Sequence, residues 1–446
     1  MRPKTFIPLL VFFIYSIVAN AQRMKRITFN EPPKNADSLV IREGILCQHA
    51  MQIKYERSGK KVATITLSEP VMVAMAEQKE KWGFFQFPSI SMAKDSTLIV
   101  SWHMAEDSHK SYGKKSERKP TLMMSKDGGL TWASKDKDYP MMRVKRSPRL
   151  KTGGDIAVKT PPAKDIRTYS SFPEPVGKNG NSSFYIMDSL PSDLQGIYVN
   201  IYERGKKART IQAKLNDPGL LRYAIDNLMP IVWWGNMWQL SDMSLMAGVY
   251  PAYYLDTPGG VAHSGVSFYR SDDDGRSWNI MSRIPFKLDG IAENREGKSF
   301  DEPAFEILRD SIFICVMRSG SKSPMYRTFS YDQGKTWSDP LPFTPNGVKP
   351  KLLQLENDVL VLVSGRPGVQ IRFSLDGTGN NWTEPIDMMP FMKSDGTPDF
   401  WLTCGYASII EAGKDSFYVV YSDFTTKNSA GEKRKSIWCR KIQITT

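Results

Sequence analysis

The chain has 446 residues, of which 41% are hydrophobic and 24% are charged, and this balance is ordinary for a folded protein and excludes a disordered chain. Lysine and arginine number 60 against 47 acidic residues, a net charge of +13. Such a charge favours an anionic partner, with a basic surface kept for solubility as the alternative. No nucleic-acid-binding motif accompanies it, so an acidic oligo- or polysaccharide is the expected partner. Four cysteines without a Cys-x-x-Cys pair exclude a disulfide scaffold and give no sign of a zinc site, and we expect no metal or cofactor.

The N-terminus has the features of a signal peptide. Arg2 and Lys4 precede an apolar run at 6–18, and the Ala-Asn-Ala sequence at 19–21 fits the small-x-small pattern of a cleavage site. The run is shorter than the roughly 20 residues that a membrane-spanning helix needs. We therefore expect residues 1–21 to be removed, and the mature protein to be secreted or periplasmic and to have no membrane span.

A short motif recurs four times along the chain. Its copies are SKDGGLTW at 125–132, SDDDGRSW at 271–278, SYDQGKTW at 330–337 and, with one extra residue, SLDGTGNNW at 374–382. The aspartate can accept hydrogen bonds from backbone N–H groups of a tight turn, and the glycine can adopt the positive φ that the turn requires. The tryptophan can pack between neighbouring sheets. Each copy is therefore predicted to be a structural hairpin turn.

The spacing of the motif predicts the fold. Copies starting at 271, 330 and 374 are about one four-stranded sheet apart, as in a β-propeller. We predict an all-β, six-bladed β-propeller, with seven blades as the alternative. The propeller is expected to occupy residues 81–446 and to be joined by an N-terminal segment at 22–80. The region at about 140–262 is expected to carry long loops or a small insertion.

The chain resembles the sialidase-like superfamily of Asp-box (BNR) proteins over most of residues 80–440. The segment DEPAFEILRDSIFICVMRSG at 301–320 is similar to one in which a glutamate assists a tyrosine nucleophile and an arginine binds the substrate carboxylate. The resemblance assigns these positions to Glu302 and Arg318. The alternatives are a solvated turn residue for Glu302 and a surface charge at a strand end for Arg318.

Two further segments carry the resemblance. SGRPGVQIRFSLDG at 364–377 is similar to the segment that supplies another carboxylate-binding arginine, which implies this role for Arg366. CGYASII at 404–410 is similar to the nucleophile segment, which makes Tyr406 the counterpart of the nucleophile; the alternative is a half-buried strand aromatic. A guanidinium fork matches a carboxylate, and a tyrosine with a pKa of about 10 needs a neighbouring base.

The sequence departs from the family at one arginine. In FQFP at 85–88, Gln86 stands where the family has an arginine, and we expect it to contact the substrate as a neutral donor. The resemblance implies an acid/base aspartate in the loop WHMAEDSH at 102–109, for which Asp107 is the first candidate and His103 its rival. A solvated polar loop is the alternative.

Three functions follow from this pattern. The first is a sialidase-like glycoside hydrolase that removes a terminal acidic sugar. The second is a polysaccharide lyase that cleaves a uronic-acid polysaccharide such as ulvan by β-elimination, with Tyr406 or His103 as the base and Gln86 or Arg318 neutralising the carboxylate. The third is a non-catalytic glycan-binding propeller. In each case we expect a monomer whose site residues meet at the end of the propeller axis away from the motif turns.

Overall fold

The computed structural model of the protein describes residues 40–57, 60–114, 121–134, 148–203, 206–291, 297–308 and 311–446. The expected signal peptide lies outside these residues. The described chain consists of β-strands, and its helical segments are four 3₁₀ turns at His109–Ser111, Ile166–Thr168, Met187–Ser189 and Ser192–Leu194. None of the described helical segments is long and apolar enough to span a membrane. The all-β prediction is confirmed.

The first described strands extend sheets formed by later parts of the chain. They are β1 (Ile45–Leu46), β2 (Met51–Arg57), β3 (Lys60–Leu67) and β4 (Val71–Met75). Strand β1 pairs in parallel with an outer strand at residue 386, whereas β3 and β4 both pair antiparallel with the last strand of the chain. The described strands before residue 81 are thus part of the same sheet system.

The next sheet has a simple up-and-down order. It contains β5 (Phe84–Met92), β6 (Leu98–Met104), β7 (Leu122–Ser125) and β8 (Ala133–Ser134). Each strand pairs antiparallel with the next one along the chain, and the first motif turn connects β7 to β8.

Residues 148–229 form two less regular sheets. Their strands are β9 (Asp155–Lys159), β10 (Lys164–Asp165), β11 (Gly177–Asn179), β12 (Ser182–Ile186), β13 (Ile197–Tyr202), β14 (Arg209–Asn216), β15 (Leu221–Ile225) and β16 (Leu228–Met229). One sheet has the order β10-β16-β15-β12-β11, and the other, β9-β13-β14, continues into a seven-stranded sheet through a parallel pairing with the later strand Ser277–Ile284. Because this region does not repeat the simple order, the count of six blades stays a prediction.

Three further sheets return to the up-and-down order. The first contains β17 (Trp234–Gln239), β18 (Leu245–Ala252), β21 (Gly265–Ser271) and β22 (Ser277–Ile284), with a hairpin of β19 (Leu255–Thr257) and β20 (Gly260–Val261) inserted. The second contains β23 (Asp301–Ile307), β24 (Phe313–Arg318), β25 (Met325–Ser330) and β26 (Leu341–Thr344). The third contains β27 (Val348–Gln354), β28 (Leu360–Gly365), β29 (Val369–Ser374) and β30 (Ile386–Asp387).

The last sheet joins the two ends of the described chain. Strands β31 (Ala407–Gly413), β32 (Ser416–Lys427) and β33 (Lys433–Thr445) follow one another, and β3 and β4 then pair with β33. The N-terminal strands therefore complete a sheet that the C-terminal strands begin.

The first strands of the regular sheets surround a common centre. Strand β5 contacts β31, β31 contacts β27, β27 contacts β23, and β23 contacts β17. Buried apolar clusters lie between neighbouring sheets, so that middle strands such as β28 and β29 are buried on both faces. Each fully buried aliphatic or phenylalanine side chain there contributes about 1.5–3 kcal/mol. Radially packed sheets of this order are a β-propeller, and this part of the predicted fold is confirmed.

The four motif turns share one hydrogen-bond pattern. In the second copy, Ser271 Oγ donates to Asp273 Oδ1 at 2.9 Å, and Asp273 Oδ1 also accepts from the backbone N–H of Ser277 at 2.9 Å. Ser271 Oγ accepts from the N–H of Gly275, whose φ is +77°. The aspartates at 127 and 332 accept equivalent bonds, whereas Asp376 of the longer fourth copy accepts from the Ser374 hydroxyl, from the N–H of Thr378 and from the side-chain amide of Asn381. In the sheet of β23–β26, the register places Ser330 of the turn and Arg318 at opposite ends.

Candidate active site

Three first strands carry a β-bulge near their beginning. The register shifts at Phe87 in β5, at Glu302 in β23 and at Lys349 in β27, and the φ angles of these residues are 53°, 52° and 47°. Residues with side chains rarely adopt such values, and they occur where surrounding structure enforces them, often at functional sites. A bulge redirects the side chain at its position. All three side chains line a single cavity.

The cavity has a volume of about 410 Å³ and opens at the end of the sheets away from the motif turns. One part of its wall is charged and the other part is rich in aromatic side chains. The wall consists of Phe87, Asp107, Tyr112, Tyr223, Trp234, Tyr250, Pro251, Tyr253, Asp301, Glu302, Arg318, Lys349 and Tyr406. A concave site of this size, with convergent polar groups, can hold a small ligand such as a sugar.

Glu302 is the centre of the charged part. The Tyr406 hydroxyl donates a hydrogen bond to Glu302 Oε1. On the other carboxylate oxygen, Arg318 Nη1 lies 3.3 Å away and the backbone N–H of Lys349 donates at 2.8 Å. The Lys349 ammonium lies 5.3 Å from the centre of the Tyr406 ring and has no hydrogen-bond acceptor among the described residues. This ammonium is available to an anionic ligand.

The charges set opposite pKa shifts on the hydrogen-bonded pair. Burial by itself would raise the pKa of Glu302, but the positive charges of Arg318 and Lys349 and the hydrogen bond from Tyr406 hold it below its usual value. Burial and the negative charge of Glu302 raise the pKa of Tyr406 well above its usual value. The pair is therefore a carboxylate and a neutral phenol, in which the carboxylate is placed to accept the phenolic proton.

Arg366 lies beside this cluster but is not part of the cavity wall. Ser321 Oγ accepts from Arg366 Nη1 at 3.2 Å and from Arg318 Nη2 at 2.9 Å, so that one hydroxyl joins the two guanidinium groups. The Arg366 guanidinium lies 4.6 Å from the centre of the Trp401 ring and 5.7 Å from that of Trp82. These indoles, and not the open cavity, contact its face.

Asp107 lies on the wall of the same cavity, on an exposed loop. Its Oδ2 accepts a hydrogen bond from the indole Nε1 of Trp82 at 2.8 Å, which fixes the carboxylate. The loop approaches Trp82 closely because Gly83, with a φ of +90°, leaves no Cβ against the backbone of Asp107. The position of Asp107 is compatible with the role inferred from the resemblance.

Gln86 and His103 are not part of the cavity wall. Gln86 is fully buried opposite His103 in the β5–β6 pair, and its amide has no hydrogen-bond partner among the described residues. His103 Nδ1 is 2.9 Å from the carbonyl oxygen of Gly83, and its ring packs 5.7 Å from that of Phe87. The positive φ of Phe87 turns the phenyl ring to the cavity, where it contacts Tyr406. The position of Gln86 therefore does not support the expected direct contact with the substrate.

Lys349, Asp301 and a group of tyrosines belong to the cavity although the sequence did not identify them. A signal for Lys349 was present, because a residue followed by proline recurs at the beginning of three first strands. These pairs are Phe87-Pro88, Glu302-Pro303 and Lys349-Pro350. Asp301 and the tyrosines had no comparable signal. Within the described residues, no group of three His, Cys, Asp or Glu side chains could hold a metal ion.

No protein-family model matches the chain, and no curated protein does so. Among solved structures, a protein of unknown function from Dyadobacter fermentans is similar, with a TM-score of 0.52 and 18% identity over 85% of this chain and 99% of that one. The NanB sialidase of Streptococcus pneumoniae gives a TM-score of 0.41 and 13% identity over 84% and 70%. An α-L-arabinanase of Penicillium chrysogenum gives 0.43 and 15% over 84% and 98%. At these identities the likeness concerns the fold alone, which is that of a β-propeller.

Proposed function

We propose that the protein is a glycoside hydrolase that removes a terminal acidic sugar, with Tyr406 as its nucleophile. The observation that supports this most is the hydrogen bond from the Tyr406 hydroxyl to the buried carboxylate of Glu302, on the wall of an open cavity. A neutral phenol is a weak nucleophile, and a base in contact with its hydroxyl is the activation that it needs. The resemblance noted in the sequence assigns the same two roles to the same two residues.

The positive charges of the cavity favour an acidic sugar. Arg318 and Lys349 both lie next to the Tyr406–Glu302 pair, and the Lys349 ammonium is available to a ligand. A substrate carboxylate bound there would lie close to the reacting carbon. A tyrosine nucleophile suits such a substrate because it is neutral, whereas an aspartate or glutamate would be repelled by the carboxylate of the sugar.

The reaction then has two displacements. Tyr406 Oη forms a bond to the anomeric carbon and passes its proton to Glu302, while the bond to the leaving oxygen breaks and an acid on the cavity wall protonates that oxygen. Water next attacks the same carbon and gives a proton back to the deprotonated acid, the bond to Tyr406 breaks, and Glu302 returns its proton to the phenolic oxygen. For this acid, the first candidate predicted from the sequence is Asp107.

Incubation with a panel of glycans that end in acidic sugars tests this function. We expect release of the terminal sugar without the ultraviolet absorbance of a new carbon–carbon double bond, and weaker cleavage of the matching methyl esters. Arg318→Ala should lose most of the preference for the acid, because a hydrogen bond to a charged group is worth about 1.5–3 kcal/mol. A new double bond would instead identify a lyase, and binding without cleavage would identify the non-catalytic alternative.

Tyr406→Phe tests the nucleophile. Loss of one hydroxyl should lower kcat by roughly 10⁴-fold or more, as in other enzymes that lose their nucleophile, and should leave glycan affinity nearly unchanged. Tyr331→Phe is the matched control, because this tyrosine is exposed on a motif turn at the far end of the sheets. A Tyr406→Phe protein with the kcat of the wild type would refute the proposed mechanism.

A further inference from the structure

Two consecutive acidic residues, Asp301 and Glu302, both line the cavity. In a regular strand, successive side chains point to opposite faces of the sheet. Strand β23 is irregular here, since its register shifts between Asp301 and Ala304 and the φ of Glu302 is 52°. The extra residue of a bulge interrupts the alternation, which allows both carboxyl groups to face the same space.

The two carboxyl groups have different surroundings. Glu302 is in direct contact with Arg318, Tyr406 and the backbone of Lys349. Asp301 Oδ2 instead accepts a hydrogen bond from the Ser299 hydroxyl at 2.5 Å.

The groups that act on Asp301 come from several elements. The negative charge of Asp301 contributes to the raised pKa values of three tyrosines on the cavity wall. The pKa of Asp301 is itself raised by the neighbouring carboxylate on β23 and lowered by two cations on β24 and β27. These groups are Tyr223, Tyr250, Tyr253, Glu302, Arg318 and Lys349. The three tyrosines lie in the aromatic part of the wall, so Asp301 stands where the charged part meets the aromatic part.

These surroundings move the two pKa values apart. Burial raises the pKa of Asp301 to about 6, whereas the cations and Tyr406 outweigh burial at Glu302 and hold its pKa below the usual value. Near pH 6, Glu302 is thus ionised and able to accept a proton, while a large fraction of Asp301 is protonated and able to donate one. Enzymes that use two carboxyl groups in different roles separate their pKa values in this way.

We propose that Asp301, and not Asp107, is the general acid that protonates the leaving group, and that the tyrosine-rich wall is the subsite of that leaving group. The proposal rests on the proposed function. The Asp301 carboxyl proton moves to the glycosidic oxygen as the bond between the anomeric carbon and that oxygen breaks and the bond to Tyr406 forms. In the second displacement, the Asp301 carboxylate takes a proton from the attacking water, so the acid is regenerated.

Asp107 is less suited to this role. It lies on an exposed loop, and the hydrogen bond from the Trp82 indole already occupies one oxygen of its carboxylate. Asp107 lies on the cavity wall, held by Trp82, where it can bind a substrate hydroxyl group.

Asp301→Asn and Asp107→Asn, each tested on two substrates with the same acidic sugar, distinguish these roles. One substrate has a sugar alcohol as the leaving group and needs an acid, whereas the other releases nitrophenol and does not. Asp301→Asn should lower kcat/KM for the first by roughly 10²–10⁴-fold and for the second by no more than about tenfold. The decline of activity as the pH rises through about 6 should also disappear with the nitrophenyl substrate. Asp107→Asn should affect both substrates alike and retain that decline.

Equal losses on the two substrates for Asp301→Asn, or the selective loss in Asp107→Asn, would overturn the assignment. Asp301→Ser keeps a hydrogen-bond partner for the Ser299 hydroxyl and is a second variant in case Asp301→Asn does not fold. It should show the same selective loss on the substrate that needs an acid. Wild-type protein that cleaves neither substrate would reject the proposed function itself, which is a separate outcome.

Discussion

Glu302 is a buried anion whose charge depends on two cations from neighbouring strands. Its side chain is 3% exposed, and taking an unpaired carboxylate out of water costs several kcal/mol. Arg318 contacts it directly, while Lys349 contributes both a backbone N–H and the charge of its ammonium. The two contributions of Lys349 can be separated, because a change of side chain leaves the N–H in place.

Lys349→Met should therefore shift the acid side of the pH–rate profile. The cations lower the pKa of Glu302, and Glu302 must be ionised to accept the Tyr406 proton, so activity falls as the pH drops through that pKa. Removing the ammonium raises the pKa, and the fall should then begin at a higher pH. The profile of kcat/KM from pH 3 to 7 measures this; the matched control is Lys322→Met, whose ammonium lies over the Phe400 ring outside the cavity wall. An acid limb that stays in place would show that Lys349 does not act on Glu302.

At the scale of single elements, the motif turns were predictable and the bulges were not. A motif turn is determined by eight or nine consecutive residues, because its hydrogen bonds join atoms within that segment, as those of Asp273 do. A bulge is defined by the register against a partner strand, which no local pattern specifies. The sequence therefore did not predict the positive φ values of Glu302 and Phe87. It also did not predict that Phe87, and not Gln86, lines the cavity.

Asp273→Ala tests whether a motif aspartate is structural only. Its carboxylate accepts from the N–H of Ser277 and from the hydroxyl groups of Ser271 and Ser277, so its loss should cost about 1–2 kcal/mol of unfolding free energy, as at a helix cap. Chemical denaturation measures the loss, and kcat/KM should not change. Asp272→Ala is the control, because that side chain makes an exposed ion pair with Arg270 that is worth little. A lower kcat/KM in Asp273→Ala at an unchanged unfolding free energy would contradict the structural role.

At the scale of the molecule, the repeats predicted a ring of sheets because each copy marks one up-and-down unit. They predicted long loops or a small insertion at about 140–262 but not the arrangement found there, in which strand β14 pairs in parallel with β22 and a five-stranded sheet is added. The β14–β22 and β10–β16 pairings join residues more than 60 positions apart and are decided by tertiary packing. The same is true of the closing sheet, in which β3 reaches β33 across the whole chain.

Closure of the ring should determine the stability of the cavity. Ile65 of β3 is fully buried in the cluster that includes Phe373 and Phe417, and Tyr406 directly precedes β31 of the same closing sheet. Ile65→Ala should lower the unfolding free energy by about 2–5 kcal/mol.

Because the closing sheet also positions Tyr406, thermal loss of activity and thermal loss of tryptophan fluorescence should move together to a lower temperature in Ile65→Ala. The control is Ile53→Ala, a half-buried partner of Ile65 on the outer strand β2, for which both midpoints should move much less. If Ile65→Ala lowered only the fluorescence midpoint and retained activity up to the wild-type temperature, the N-terminal strands would unfold independently. The cavity would then not depend on the closing pair.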